Sequence, residues 1–278
     1  MKELFNKVSA EVSKRTTQTY STSFSLGIYC LNKRLHEPIY NIYGFVRFAD
    51  EIVDTFLDYD RAELLAEFRA ETRKAIDRGI SLNPILHSFQ QTVNKYNIEW
   101  ELIDCFLNSM EMDLHKAEHS ERSYKEYILG SAEVVGLMCL RVFTEGNEEM
   151  YRSLKPTAMS LGSAFQKVNF LRDLRNDYHS LGRVYFPGVE IEGFDDNVKL
   201  QIEEDIDKDF EHALQGIKKL PRSSRFGVYV AYVYYKQLHN KIRSMPPKRV
   251  LTERIRIPNY QKMGLLASSF FRNSLRMF

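Results

Sequence analysis

Two stretches carry aspartates on helix faces that would ordinarily be apolar or solvated, and they constrain the fold more than any other feature. In "YGFVRFADEIVDTF", residues 43–56, an advance of about 100° per residue puts Tyr43, Arg47, Asp50 and Asp54 within an arc of roughly 60° and leaves Glu51 outside it. In "GSAFQKVNFLRDLRNDYHSLGRVYFP", residues 162–187, Gln166, Asn169, Asp173 and Asp177 share an arc of roughly 80°. Aspartates at i, i+4 are neighbours on a helix surface and repel unless something lies between them. Most other positions are apolar: Phe45, Val46, Phe48, Ile52 and Val53 in the first stretch, Phe165, Val168, Phe170 and Leu171 in the second. A solvated face explains either stripe alone. Both together describe helices buried on most of their circumference, with the polar stripes turned toward an internal cavity.

Two aspartate pairs facing each other across a bundle ask for a counterion. Magnesium suits them, because it takes hard oxygen ligands and is commonly held by one or two carboxylates together with substrate phosphates; Mn²⁺ is an alternative of similar preference. Asn169 and Gln166 add neutral oxygens beside the second pair.

Helical periodicity dominates the rest of the chain. Asp60 is placed to cap "RAELLAEFRAETRKAIDR", which Gly79 terminates, and Asn83 followed by Pro84 marks another helix start. Further helices are expected over 99–118, 123–144, 148–178, 197–219 and 225–244, and only "GRVYFP", 182–187, reads as extended. There is no βαβ alternation, no glycine-rich phosphate loop and no repeat of fixed period, so the expectation is one all-α domain over residues 1–278. Segments 127–143 and 226–238 are apolar enough for burial on most sides. Gly130, Ser131, Ala132 and Gly136 in the first suit either tight helix packing or the wall of a ligand tunnel.

The formal net charge of +2 gives no general attraction to nucleic acid. Basic residues nevertheless collect from Lys236 to Arg276, opposed only by Glu253. Cys30, Cys105 and Cys139 form no C-x-x-C, which argues against a disulfide framework or zinc knuckle and fits a reducing cytoplasm. No run approaches the ~18 apolar residues of a membrane span, and the first residues lack the apolar core of a signal peptide.

"YGFVRFADEIVD" and "QKVNFLRDLRNDYHSLGRVYFP" resemble the two aspartate-rich motifs of the squalene and phytoene synthase family, head-to-head prenyl synthases of the all-α isoprenoid synthase fold. "YSTSFSLG" resembles the family's serine-rich flap, and "SMEMDL", 109–114, with "Y-x-x-G-x-A-x-x-VG", 127–136, resembles its two tunnel-lining segments. The resemblance implies a helical bundle around a central cavity. It puts Asp50, Asp54, Asn169, Asp173 and Asp177 on Mg²⁺, with Arg47 and Tyr43 beside them in catalysis. Ser21, Ser23, Arg47, Tyr127, Gln166, Asn169, Arg172, Arg183 and Tyr185 would then contact substrate. Thr22 stands between the flap serines where phytoene synthases usually carry a basic residue, which shifts diphosphate capture toward Arg47, Arg172 and Arg183. Leu129 and Glu133 replace the tyrosine and the small residue often found in the central helix.

The reaction this implies joins two geranylgeranyl diphosphates through their C1 ends to give phytoene in carotenoid biosynthesis. The alternative within the family is a squalene or dehydrosqualene synthase using farnesyl diphosphate, for which squalene formation also needs NADPH. A non-catalytic prenyl-lipid binding or assembly subunit is a further reading. "HKAEH", 115–119, matches the H-x-x-E-H pattern of inverted zinc peptidases in a stretch that looks like an exposed helix end. A lipid substrate suggests a cytoplasmic protein in peripheral contact with the inner membrane face, and "GLLASSFFRNSLRMF", 264–278, is a candidate amphipathic surface helix.

Overall fold

The computed structural model describes residues 1–115, 119–181, 183–189, 193–253, 255–258, 261, 262, 264–266, 268 and 269. Its elements are α1 (Lys2–Tyr20), α2 (Thr22–Tyr29), α3 (Lys33–Asp54), α4 (Arg61–Arg78), α5 (Pro84–Tyr96), α6 (Trp100–His115), α7 (Glu121–Ile128), a π-helical turn (Leu129–Glu133), α8 (Val134–Thr144), α9 (Glu148–Leu181), α10 (Asp196–Ile217), α11 (Arg222–Arg243) and α12 (Pro247–Val250). The local signals act as the sequence predicts. Asp60 accepts a hydrogen bond from the Glu63 amide at 3.0 Å and Gly79 closes α4 at φ +68°. Asn83 accepts from the amides of Ile85 and Leu86, with Pro84 in the first turn. In place of the extended piece expected at 182–187, the described residues 183–187 show only an isolated bridge at Val184.

α3 has its apolar face in the core, where Phe45 stacks on Phe89 with ring centroids 3.9 Å apart and Ala49 and Val53 have no exposed surface. Its polar stripe thereby points away from that core. Phe48 departs from the expected burial and is 36% exposed. Val168, Phe170 and Leu171 of α9 are buried in a second apolar cluster with Tyr127, Tyr185, Phe210 and Leu238. That cluster also takes Val250, Ile255 and Ile257, so the basic C-terminal stretch packs onto the bundle at least as far as Ile257. Lys236 and Arg243 pair with Asp207, and Arg249 with Glu253. Most of the proposed amphipathic helix at 264–278 lies outside the described residues.

The helix expected over 123–144 is interrupted by the π turn, a feature that often accompanies functional sites. Gly130 within it presses against α6: a Cβ there would lie 2.5 Å from the Cys105 carbonyl oxygen and 2.7 Å from Ser109 Cβ. The stretch Glu121–Thr144 is long and apolar enough to cross a membrane by length and composition, unlike the expectation from sequence, but 56% of its most apolar window is buried inside the bundle. It reads as a core helix. Gly130→Ala is expected to cost about 1–3 kcal/mol through overpacking against a backbone carbonyl; urea denaturation monitored by circular dichroism measures it.

Candidate active site

Between the helices lies an apolar chamber of 290 Å³ that adjoins a smaller, more polar compartment of 150 Å³. Tyr43, Val46, Ser131 and Gln166 line both and form the neck between them. Along α9 the chamber lining runs from Leu154 to Asn169, about 22 Å at the helical rise. Its walls come from α2, α3, α8, α9, α10 and α11. The small residues of 127–143 serve both purposes considered for them. Ser131, Ala132 and Gly136 line the chamber, while the backbones also approach closely: a Cβ on Gly162 would lie 2.7 Å from the Ala132 carbonyl oxygen.

Asp50 and Arg47 line the polar compartment, and three arginines pair with aspartates of the two stripes. Arg47 donates to Asp50 at 2.5 Å and to Glu51. Arg172 pairs with Asp173, its Nε 2.9 Å from Oδ2. Arg183, whose backbone amide caps back onto the Asp177 carbonyl at 2.9 Å, donates to Asp54 Oδ1 at 2.7 Å and so bridges the two acidic helices. Burial and the neighbouring Asp54 push Asp50 up to about 6 against the pull of Arg47 and Arg183. Burial, Asp173 and Asp54 push Asp177 up to about 7. Arg183, bonded through its side chain to Asp54 and through its amide to Asp177, brings the ends of the two stripes together.

Among the described residues no group of three or more His, Cys, Asp or Glu side chains converges on a point where it could hold a metal ion. The donors nevertheless fit Mg²⁺ held by carboxylates and phosphate oxygens together. Hard oxygens on two helices are crowded enough to resist ionisation, and Asn169 Oδ1 is buried with no hydrogen-bond partner. The Ser131 hydroxyl at the neck is likewise buried without a partner.

Tyr43 sits between Phe24, 5.4 Å between centroids, and Arg47, and burial raises its phenol above its ordinary value. Ser21 caps α2 by accepting from the Phe24 amide at 3.2 Å, and Ser23 follows in the first turn of α2. The Lys262 ammonium donates to Thr22 Oγ1 at 3.1 Å, so a basic group reaches the flap from the C-terminal segment. Tyr127 lines the polar compartment. Tyr185 instead stacks on Phe170, 4.2 Å between centroids, and belongs to the core cluster. The phenols of both donate to one carboxylate, Asp113, at 2.7 and 3.2 Å.

Asp113 is the residue that sequence reasoning missed. It occupies the buried face of α6 behind Phe106 and Met110, and burial pushes it up to about 7 although Arg183 and the two tyrosines favour its charged form. A lone aspartate in the i+4, i+3 register of an apolar stripe was the available signal. Of the histidines in "HKAEH", His115 ends α6 at an exposed position, His119 packs against Tyr127 and Tyr185, and Glu118 lies outside the described residues. That arrangement shows no zinc pair.

A family model for squalene/phytoene synthase matches residues 17–261, and the chain belongs to that family. The chain spans less than two thirds of the length of several curated relatives it matches, 65% of a Staphylococcus haemolyticus protein and 60% of a maize one. The chain is 25% identical over 189 residues to 4,4′-diapophytoene synthase of Staphylococcus haemolyticus, covering 67% of this chain and 65% of that protein. It is 25% identical over 297 residues to 15-cis-phytoene synthase of a Synechocystis species, covering 94% of this chain and 84% of that one. A crystal structure of a dehydrosqualene synthase in complex with ligand superposes with a TM-score of 0.84 at 21% identity, covering 98% of each chain, which establishes the shared fold.

Raised carboxylates make the free chain's stability depend on pH. Asp177 moves from an ordinary 3.8 to about 7, so between those values the folded chain keeps a proton that the unfolded chain has released. Stability from this group therefore falls as pH rises through that window. Asp177→Asn is expected to raise Tm by roughly 2–6 °C near pH 8 and to change it little near pH 4; thermal melts at both pH values, without metal, check the sign.

Proposed function

We propose that the chain is a phytoene synthase, condensing two geranylgeranyl diphosphates head to head and releasing diphosphate. The observation that carries the reading is the junction of two environments at one neck: a compartment lined by Asp50 and Arg47 on one side, a long apolar chamber on the other. A prenyl diphosphate has the same two halves.

Asp50, Asp54, Asn169, Asp173 and Asp177 would hold Mg²⁺, which when bound neutralises the diphosphate and makes it a leaving group. Arg47, Arg172 and Arg183 present planar forks matched to phosphate oxygens. Ser21 and Ser23, at the start of α2, would contact the diphosphate. The chamber keeps water from an allylic cation, and the faces of Tyr43, Phe24, Phe165 and Tyr235 stabilise positive charge without offering a good nucleophile. Gln166, at the neck, is placed to contact the reacting end, and Tyr127 lines the compartment beside it. Tyr185 acts on this site through Asp113 and Arg183 instead of touching the prenyl chain.

A second reading, a dehydrosqualene or squalene synthase using farnesyl diphosphate, has specific support in the Staphylococcus relative, which is as similar by identity as the cyanobacterial one. Under either reading we place the protein in the cytoplasm, in peripheral contact with the inner membrane face from which a lipid substrate is drawn; it has no call on nucleic acid.

Purified protein with Mg²⁺ and either geranylgeranyl or farnesyl diphosphate, with and without NADPH, is expected to yield a C40 hydrocarbon from the former without reductant. Mass spectrometry of the extract decides it: a C30 product moves the assignment to the second reading, and no hydrocarbon under any condition sinks both. Asp50→Asn and Asp173→Asn should each lower turnover at least about a hundredfold with the fold retained; near wild-type turnover in either would overturn the metal assignment.

A further inference from the structure

Arg183 differs from the other two arginines of the site in having a second carboxylate, Asp113, behind it on a third helix. Its side chain is 6% exposed and that of Asp113 is 4% exposed. Arg183 Nη1 donates to Asp54 at 2.7 Å and to the Tyr185 hydroxyl at 3.4 Å, and that hydroxyl donates to Asp113 Oδ1 at 3.2 Å. Asp113 Oδ1 itself lies 3.7 Å from Nη1. Nη2 donates to the backbone carbonyls of Asp113 and Val53, at 3.1 and 3.3 Å. Tyr127 fixes the other carboxylate oxygen at 2.7 Å. The guanidinium is therefore held from behind by contacts that do not include Asp54.

That matters once Asp54 has another use. On the functional reading above, Asp54 turns to a divalent cation, and a buried guanidinium stripped of its counterion would be strongly unfavourable. We propose that Asp113 is a positioning residue that holds Arg183 in place when Asp54 is taken by a metal ion, so that a divalent cation and a diphosphate bind cooperatively. With Asp54 given to a cation, the Arg183 Nη1 donor would be open to a diphosphate oxygen, while Asp113 and the two phenols keep the fork from turning away. Each ligand thus relieves a cost imposed by the other, and linkage makes the coupling reciprocal. Arg47 has Glu51 as its alternative carboxylate, but that residue lies on the same helix one turn on and provides no anchor from a third element.

The test titrates Mn²⁺ into the full chain with and without inorganic pyrophosphate, free Mn²⁺ being read by EPR against a protein-free pyrophosphate blank. In the wild type, pyrophosphate is expected to tighten Mn²⁺ binding by at least about tenfold. Asp113→Asn, which removes the charge at nearly constant volume, should cut this coupling below about threefold while leaving a cooperative melt. Tyr185→Phe, which severs the bridge and leaves Asp113 in place, gives a weaker loss and serves if Asp113→Asn does not fold. In an Arg183→Gln background, adding Asp113→Asn should change nothing further, because Asp113 acts through Arg183. Wild-type coupling in Asp113→Asn, or an equal loss with and without Arg183, would overturn the proposal and leave the functional reading intact. No Mn²⁺ binding to the wild type even with pyrophosphate would overturn both.

Discussion

The polar end of the cavity rests on charge compensation. Two carboxylates about 6 Å apart on a helix surface repel by roughly 3 kcal/mol at an effective dielectric near 20. The site holds two such pairs. Arg47 with Asp50, Arg172 with Asp173 and Arg183 with Asp54 offset the repulsion in the free chain, and Asp177 is left with the least help and is pushed up to about 7. Burial alone would not tolerate this set, because removing one member of a buried pair typically costs about 3–5 kcal/mol. The arginines are therefore structural as well as ligand-facing, and Arg183 most of all, since it ties the end of α3 to the segment after α9 and to α6.

The apolar chamber imposes an opposite requirement: helices must approach closely without filling the space between them. Small residues at the contacts meet it. Gly227 on α11 would place a Cβ 2.7 Å from the Gly27 carbonyl oxygen on α2, and Gly162 on α9 is as close to Ala132 in the π turn. These contacts set the wall positions and leave the volume between walls to the larger side chains. The π turn does a related task on the other side of the neck, where it turns Ser131 and Ala132 to the chamber while Gly130 seats against α6.

The two polar stripes were legible in the sequence because a helix period fixes relative azimuth, and four aspartates on two faces leave few arrangements. The caps at Asp60 and Asn83 were legible because they depend on residues a few positions away. What was hidden depends on contacts distant in sequence. Asp113 looks like any acidic residue near a helix end until Tyr127, Tyr185 and Arg183 surround it. Tyr185 was expected to contact substrate on the resemblance alone, and its ring stacks on Phe170 while its hydroxyl goes to Asp113. Phe48, apolar and in register with buried neighbours, is 36% exposed, which the helix period alone does not reveal. The π turn required knowing that α6 lies against Gly130.

α3 and α9 line both the chamber and the polar end, but different positions set the two, and this separates two properties of the reaction. Register on α3 and α9 places the aspartates, and a shift of one residue on either helix would rotate them by about 100° out of the site. The far wall instead depends on side-chain volume at positions such as Phe143, Leu154 and Leu220, none of which touches the acidic motifs. On the proposed reading, the chemistry at C1 is therefore tightly constrained while the prenyl length is open to change by a few substitutions deep in the chamber. Two relatives with different product names at the same 25% identity are what such a division predicts. Overall identity averages over both parts, so substrate length has to be sought in the volume at the chamber's end.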